Sequence, residues 1–166
     1  MRAGSLPAVV DPIKLADSGT RLTGQLPVRA MGRLRALCLD ESDKVSIDLS
    51  FERSGDRVLG WMQGTIVAGL QVVCQRCLEK MTLVLRVEPS VILVRAQDRE
   101  DIIARDTDSL VVDGPILLSN IVEDELLLAM PMVPMHDIDE CLAGEHRHRQ
   151  ERPNPFSVLG ELKHRD

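Results

Sequence analysis

The chain has 166 residues, a formal charge of −6 and 44% apolar residues, with Phe51, Trp61 and Phe156 as its aromatics. A chain of this length buries about two thirds of its unfolded surface, so one domain with a core of Leu, Val, Ile and Met stands without disulfides. The acidity and the shortage of rings argue against broad phosphate binding and against a base-stacking platform, and no apolar run approaches the roughly 20 residues that span a bilayer.

Asp11-Pro12 opens a short helix ending near Gly19, with Asp11 as N-cap and Pro12 at the first helical position. Residues 21–28 are expected to be extended, and residues 31–38 to form a short helix with Leu34 and Cys38 on one side. Val45, Ile47, Leu49 and Phe51 alternate with Ser46, Asp48 and Ser50, the period of a half-buried strand. Ser54-Gly55-Asp56 supplies a hairpin turn. Strands over 58–62 and 65–73 follow, where Gly60, Gly64 and Gly69 mark bulges or close backbone approach. Met81, Leu83, Leu85 and Val87 alternate again, Pro89 interrupts, and 91–94 continues the pattern.

Residues 97–109 read as an exposed acidic loop, and 110–112 as a short strand. A helix is predicted near 120–130. Asn120 and Glu123 have capping-box spacing, and Glu123, Asp124 and Glu125 read as a solvated first turn favoured by the helix dipole. Val122, Leu126, Ala129 and Met130 form its apolar stripe, and Pro131 and Pro134 end it. Asn154 and Pro155 start a short C-terminal helix over about 155–163. The expected fold class is α+β: one domain over 1–166, an antiparallel β-meander of four or five strands packed with a few helices.

The sharpest chemical feature is Cys74-Gln75-Arg76-Cys77. Redox use of such a pair normally needs a strand running into a helix, whereas this one lies between two strand patterns. As a metal site it needs two more ligands, and His136 and Cys141 offer them about 60 residues downstream. Cys74, Cys77, His136 and Cys141 would make a closed, structural zinc site with no position left for water. The alternative is unmetallated thiols beside a surface histidine. Cys38 stands alone and reads as a core residue. The chain has no Walker loop, dinucleotide fingerprint, Gly-x-Ser-x-Gly elbow or zinc-deaminase order. No signal peptide is evident, so a cytoplasmic, reducing setting is expected. Arg29, Arg33 and Arg35 cluster early, and His146, Arg147, His148, Arg149 and Arg152 cluster late. Each group reads either as a contact for RNA or a partner or as ordinary solvated surface.

Several landmarks occur in order: Asp11-Pro12, Leu22-Thr23-Gly24, Cys74-Gln75-Arg76-Cys77-Leu78-Glu79, the Val122 to Pro131 run, Val133-Pro134-Met135-His136-Asp137, Cys141, and Arg152-Pro153-Asn154-Pro155-Phe156. Over about 11–163 this set resembles the YceD family, named for large ribosomal RNA subunit accumulation. The resemblance implies a role in accumulation or processing of 23S ribosomal RNA and no established catalytic activity. It also places all four Cys and His residues within the family pattern. The expected partners are a ribosomal RNA precursor or ribosome-assembly proteins. Two other readings stay open: an adaptor for an assembly factor or nuclease, and a metal-dependent enzyme acting on RNA.

Overall fold

The alternation in residues 45–51 becomes β3 (Lys44–Glu52), with Val45, Ile47, Leu49 and Phe51 all buried on one face. The computed structural model describes residues 6–55, 58–98 and 108–142, together with Phe156. Beside β3 lie β2 (Arg21–Pro27) and β4 (Gly60–Val73), both antiparallel to it. The strands expected over 58–62 and 65–73 are thus one continuous strand. Its inward side chains include Met62, Ile66, Ala68, Leu70 and Val72. Each fully buried Val, Leu, Ile, Phe or Met contributes about 1.5–3 kcal/mol relative to exposure, so this aliphatic face anchors the domain.

The far edge of β4 is shared by β5 (Lys80–Val87) and β6 (Ser90–Val94). Both keep one register: Ile66 faces Val87, and Gln63 faces Ser90. They are therefore one strand line interrupted at Glu88-Pro89, where proline cannot donate to a ladder. Gly64 lies opposite the break and donates its N–H to the Pro89 carbonyl at 3.2 Å. A Cβ on Gly64 would overlap the Asp48 carbonyl oxygen, so the close approach expected of this glycine is real. The whole arrangement is a long hairpin whose tip is 74–79.

The chain then departs from a pure meander. β7 (Ser109–Val111) joins β6 in parallel. A second, two-stranded sheet pairs β1 (Val9–Val10) with β8 (Ile116–Leu117). The sheet is thus mostly antiparallel, and with its helices the class is α+β.

Helix α1 (Pro12–Asp17) starts as expected, with the Asp11 carboxylate accepting the Lys14 N–H at 3.3 Å. Its Ala16 lies against Gly60, where an added Cβ would come within 2.7 Å of the Ala16 methyl and of the Glu52 carbonyl oxygen. Helix α2 (Gly32–Arg35) buries Leu34. Cys38 packs, partly buried, against the main core.

Helix α3 (Leu118–Ala129) differs from expectation in its start, its stripe and its acids. It begins two residues before Asn120, so no capping box forms. Leu117 is the N-cap without a side-chain bond, and the Leu118 N–H bonds the Ala8 carbonyl at 3.0 Å. Pairing of β8 with β1 fixes this entry in place of a cap. The buried stripe is Leu118, Ile121, Val122 and Leu126; Ala129 is exposed and Met130 lies beyond the helix. Glu123 is not solvated: it is 4% exposed. Most of the expected acidic loop, the C-terminal helix apart from an exposed Phe156, and Arg147, Arg149, Arg152, His146 and His148 lie outside the described residues.

Candidate metal centre

The hairpin tip is shaped by its own backbone. The Cys74 N–H reaches the Glu79 carbonyl and the Leu78 N–H reaches the Cys74 carbonyl, each at 2.9 Å. That closure forces Leu78 to φ +64°, the left-handed region, at a cost of about 1–2 kcal/mol for a non-glycine residue. Both cysteine side chains are thereby presented from one tight loop.

The other two donors come from the segment after α3. Pro131 and Pro134 keep that segment non-helical, and the Pro134 carbonyl accepts the Gln75 N–H at 2.8 Å. This bond aligns the segment with the hairpin tip. The His136 N–H then donates to Cys74 Sγ at 3.4 Å, and His136 Nδ1 lies 3.3 Å from Cys77 Sγ. A turn closed by the Glu140 N–H and the Asp137 carbonyl, at 3.1 Å, brings in Cys141.

The structure gathers all four residues singled out by sequence: donor atoms of Cys74, Cys77, His136 and Cys141 lie within 4.8 Å of one another. Cys74 and Cys141 are buried, and Cys77 and His136 are half-buried. A tetrahedral ion with metal–sulfur bonds of about 2.3 Å holds its donors roughly 3.8 Å apart, so the cluster fits with small adjustments. Three thiolates and one imidazole suit a soft or borderline ion.

The electrostatics fit a cation as well. Burial pushes the Cys74 thiol up, but N–H groups of Cys77, His136 and Arg76 outweigh it and bring the value down to about 5. The Glu79 N–H lowers Cys77, yet burial and the neighbouring Cys74 and Cys141 sulfurs raise it overall. The sulfurs thus compete for negative charge. A dication held by Cys74, Cys77, His136 and Cys141 would remove that conflict by favouring the thiolate forms.

The early arginines behave differently from one another. Arg33 donates from Nε and Nη2 to Glu123 Oε2 at 3.2 and 3.0 Å, and from Nη2 to Asp124 at 2.6 Å. Arg35 lies 3.7 Å from Glu41, and Arg29 is exposed. Glu123 Oε1 also accepts the backbone N–H groups of Arg33 at 2.6 Å and Leu34 at 3.0 Å. It therefore caps α2 from another helix. Burial pushes the Glu123 carboxyl up, but the Leu34 and Arg33 donors outweigh it, leaving it below its ordinary value. Sequence reading missed this clamp because its partners lie about 90 residues away. A helical wheel begun at Leu118 places Glu123 beside Leu126, on the flank of the buried stripe.

Comparison with known proteins points to one family. The family described as large ribosomal RNA subunit accumulation protein YceD matches residues 62–163, which include the entire Cys/His cluster. A Haemophilus influenzae protein of that same description is 30% identical over 173 aligned positions, covering 98% of this chain and 99% of the relative. No solved structure matches the chain significantly. The ordered landmarks, the cluster they build and these two matches agree: the chain belongs to the YceD family.

Proposed function

We propose that this chain is a non-enzymatic cytoplasmic factor that promotes synthesis, processing or accumulation of 23S ribosomal RNA, and hence of the large ribosomal subunit. The family description supports the RNA end of this reading. The donor set of the metal centre carries the non-enzymatic part. Cys74, Cys77, His136 and Cys141 supply four protein donors, the complement of a structural zinc ion. A hydrolytic zinc keeps one position for water, and a closed set leaves none. In this reading zinc joins the hairpin tip to the segment after α3 and fixes a surface for binding.

A partner protein as the direct contact is favoured by the state of the early arginines. Arg33 and Arg35 are engaged with carboxylates, leaving Arg29 of that group without a described ion pair. With a formal charge of −6, this surface offers phosphate little. The factor then acts on the RNA through a ribosome-assembly protein.

The test is complementation. Cells lacking the gene are expected to contain less 23S RNA, to recover with the wild-type chain, and to recover poorly with Cys77→Ser. The reading fails if purified protein cleaves or modifies ribosomal RNA unaided, or if 23S levels are indifferent to the gene.

A further inference from the structure

Leu78 holds a left-handed backbone at φ +64° and still leaves 72% of its surface exposed at the hairpin tip. Glycine adopts that backbone without steric cost, so folding gains nothing from an exposed leucine there. Met132, Val133, Met135 and Ile138, on the strip after α3, are 44–99% exposed. The two strips are held side by side. Gln75 bonds Pro134 at 2.8 Å, and Arg76 Nη2 approaches Met135 Sδ at 3.5 Å. The four-residue Cys/His cluster lies between them. Isolated exposed apolar residues are ordinary, but a set fixed around one cross-link is a candidate interface.

The charge beside this strip is mostly negative: the exposed Glu79, Asp137, Asp139 and Glu140 outnumber the exposed cations Arg76 and Lys80. Asp137, Asp139 and Glu140 are exposed, and among the described residues none of them forms an ion pair. Such a surface repels phosphate and, being aliphatic, gives bases no ring to stack on. Methionine suits adaptable apolar contact. We propose that the tip formed by Leu78 and the Met132–Ile138 strip docks a basic, amphipathic segment of a protein partner, with apolar side chains on the leucine and methionines and cations against the three carboxylates. This rests on the reading of the cluster as a structural metal site that holds the two strips together.

Photo-crosslinking in cells tests it. A benzophenone side chain is placed at Met132 of the full chain and, as control, at Gln63 on the opposite sheet face. The expected adduct forms from position 132 and not from 63, and its mapped peptide has Lys or Arg alternating with apolar residues. A synthetic copy of that peptide should bind the purified chain. Leu78→Gly and Met132→Asp should each weaken binding tenfold or more, while Leu78→Gly leaves thermal stability equal or higher. Adducts to RNA, to a second copy or to this chain's own C-terminal residues overturn the proposal. So do equal adducts from both positions, an acidic mapped peptide, or no adduct. Zinc content measured on the same preparations separates the two failures. Zinc present without the adduct removes the docking surface, and the adduct without zinc removes only the metal reading.

Discussion

Two polar clusters tie distant parts of this chain together, and they balance charge by opposite means. At the Glu123 clamp one buried carboxylate faces two backbone N–H groups and an arginine, so protein donors answer its charge. At the Cys/His cluster three sulfurs and an imidazole face one another, and the Cys74 and Cys141 sulfurs push the Cys77 thiol up. A cluster of donors and acceptors closes on itself, whereas a cluster of metal-ligand atoms is balanced by a cation. The first is a fold device complete in its side chains; the second is a donor set compatible with a metal ion.

If the cluster holds zinc as proposed, the contrast breaks most visibly on removal of that ion. Chelation, or Cys77→Ser, is expected to release about one zinc per chain and lower the melting temperature by roughly 10 °C, the scale of a tightly bound ligand lost from a domain of this size. Hydrogen exchange should then rise in 130–142 and 74–79, with α2 and the Glu123 region unaffected.

Damage at the clamp should be smaller and independent of metal. Glu123→Gln is expected to cost about 1–3 kcal/mol in denaturant unfolding, because it weakens bonds to buried N–H groups and removes a charge partner. Zinc content should not change. Arg33→Met should cost less than Glu123→Gln, since the carboxylate keeps its two backbone donors.

The smallest effect sharpens the comparison through pH. The folded Glu123 carboxyl lies below its ordinary value of 4.5. Its charged form therefore contributes stability above that pH, and the contribution is lost as pH falls through the lower folded value. The stability gap between the wild-type chain and Glu123→Gln should be constant near neutrality and narrow below about pH 4.5. A gap unchanged at acid pH would mean that the charge of Glu123 does not hold α2.

Local signals explain what was legible in the sequence. Asp11-Pro12 specifies the start of α1 within three residues, and the alternation from Val45 to Phe51 specifies β3 and its buried face. The Cys-x-x-Cys pair reads as lying between two strands, and the structure puts it at their hairpin tip, together with the His136 and Cys141 named alongside it. Signals that depend on a distant partner were missed. Nothing near Asn120 shows that β8 pairs with β1 and starts α3 earlier, and that shift hides Glu123 on the flank of the buried stripe. Likewise, the conformation of Leu78 follows from loop closure across the tip, which composition does not reveal.

The most direct test is X-ray absorption at the zinc edge on the full chain purified under reducing conditions, together with metal stoichiometry. The account predicts about one zinc per chain, with three sulfurs near 2.3 Å and one nitrogen near 2.0–2.1 Å. A protein that purifies without metal, or an ion whose coordination includes a water oxygen, would contradict it.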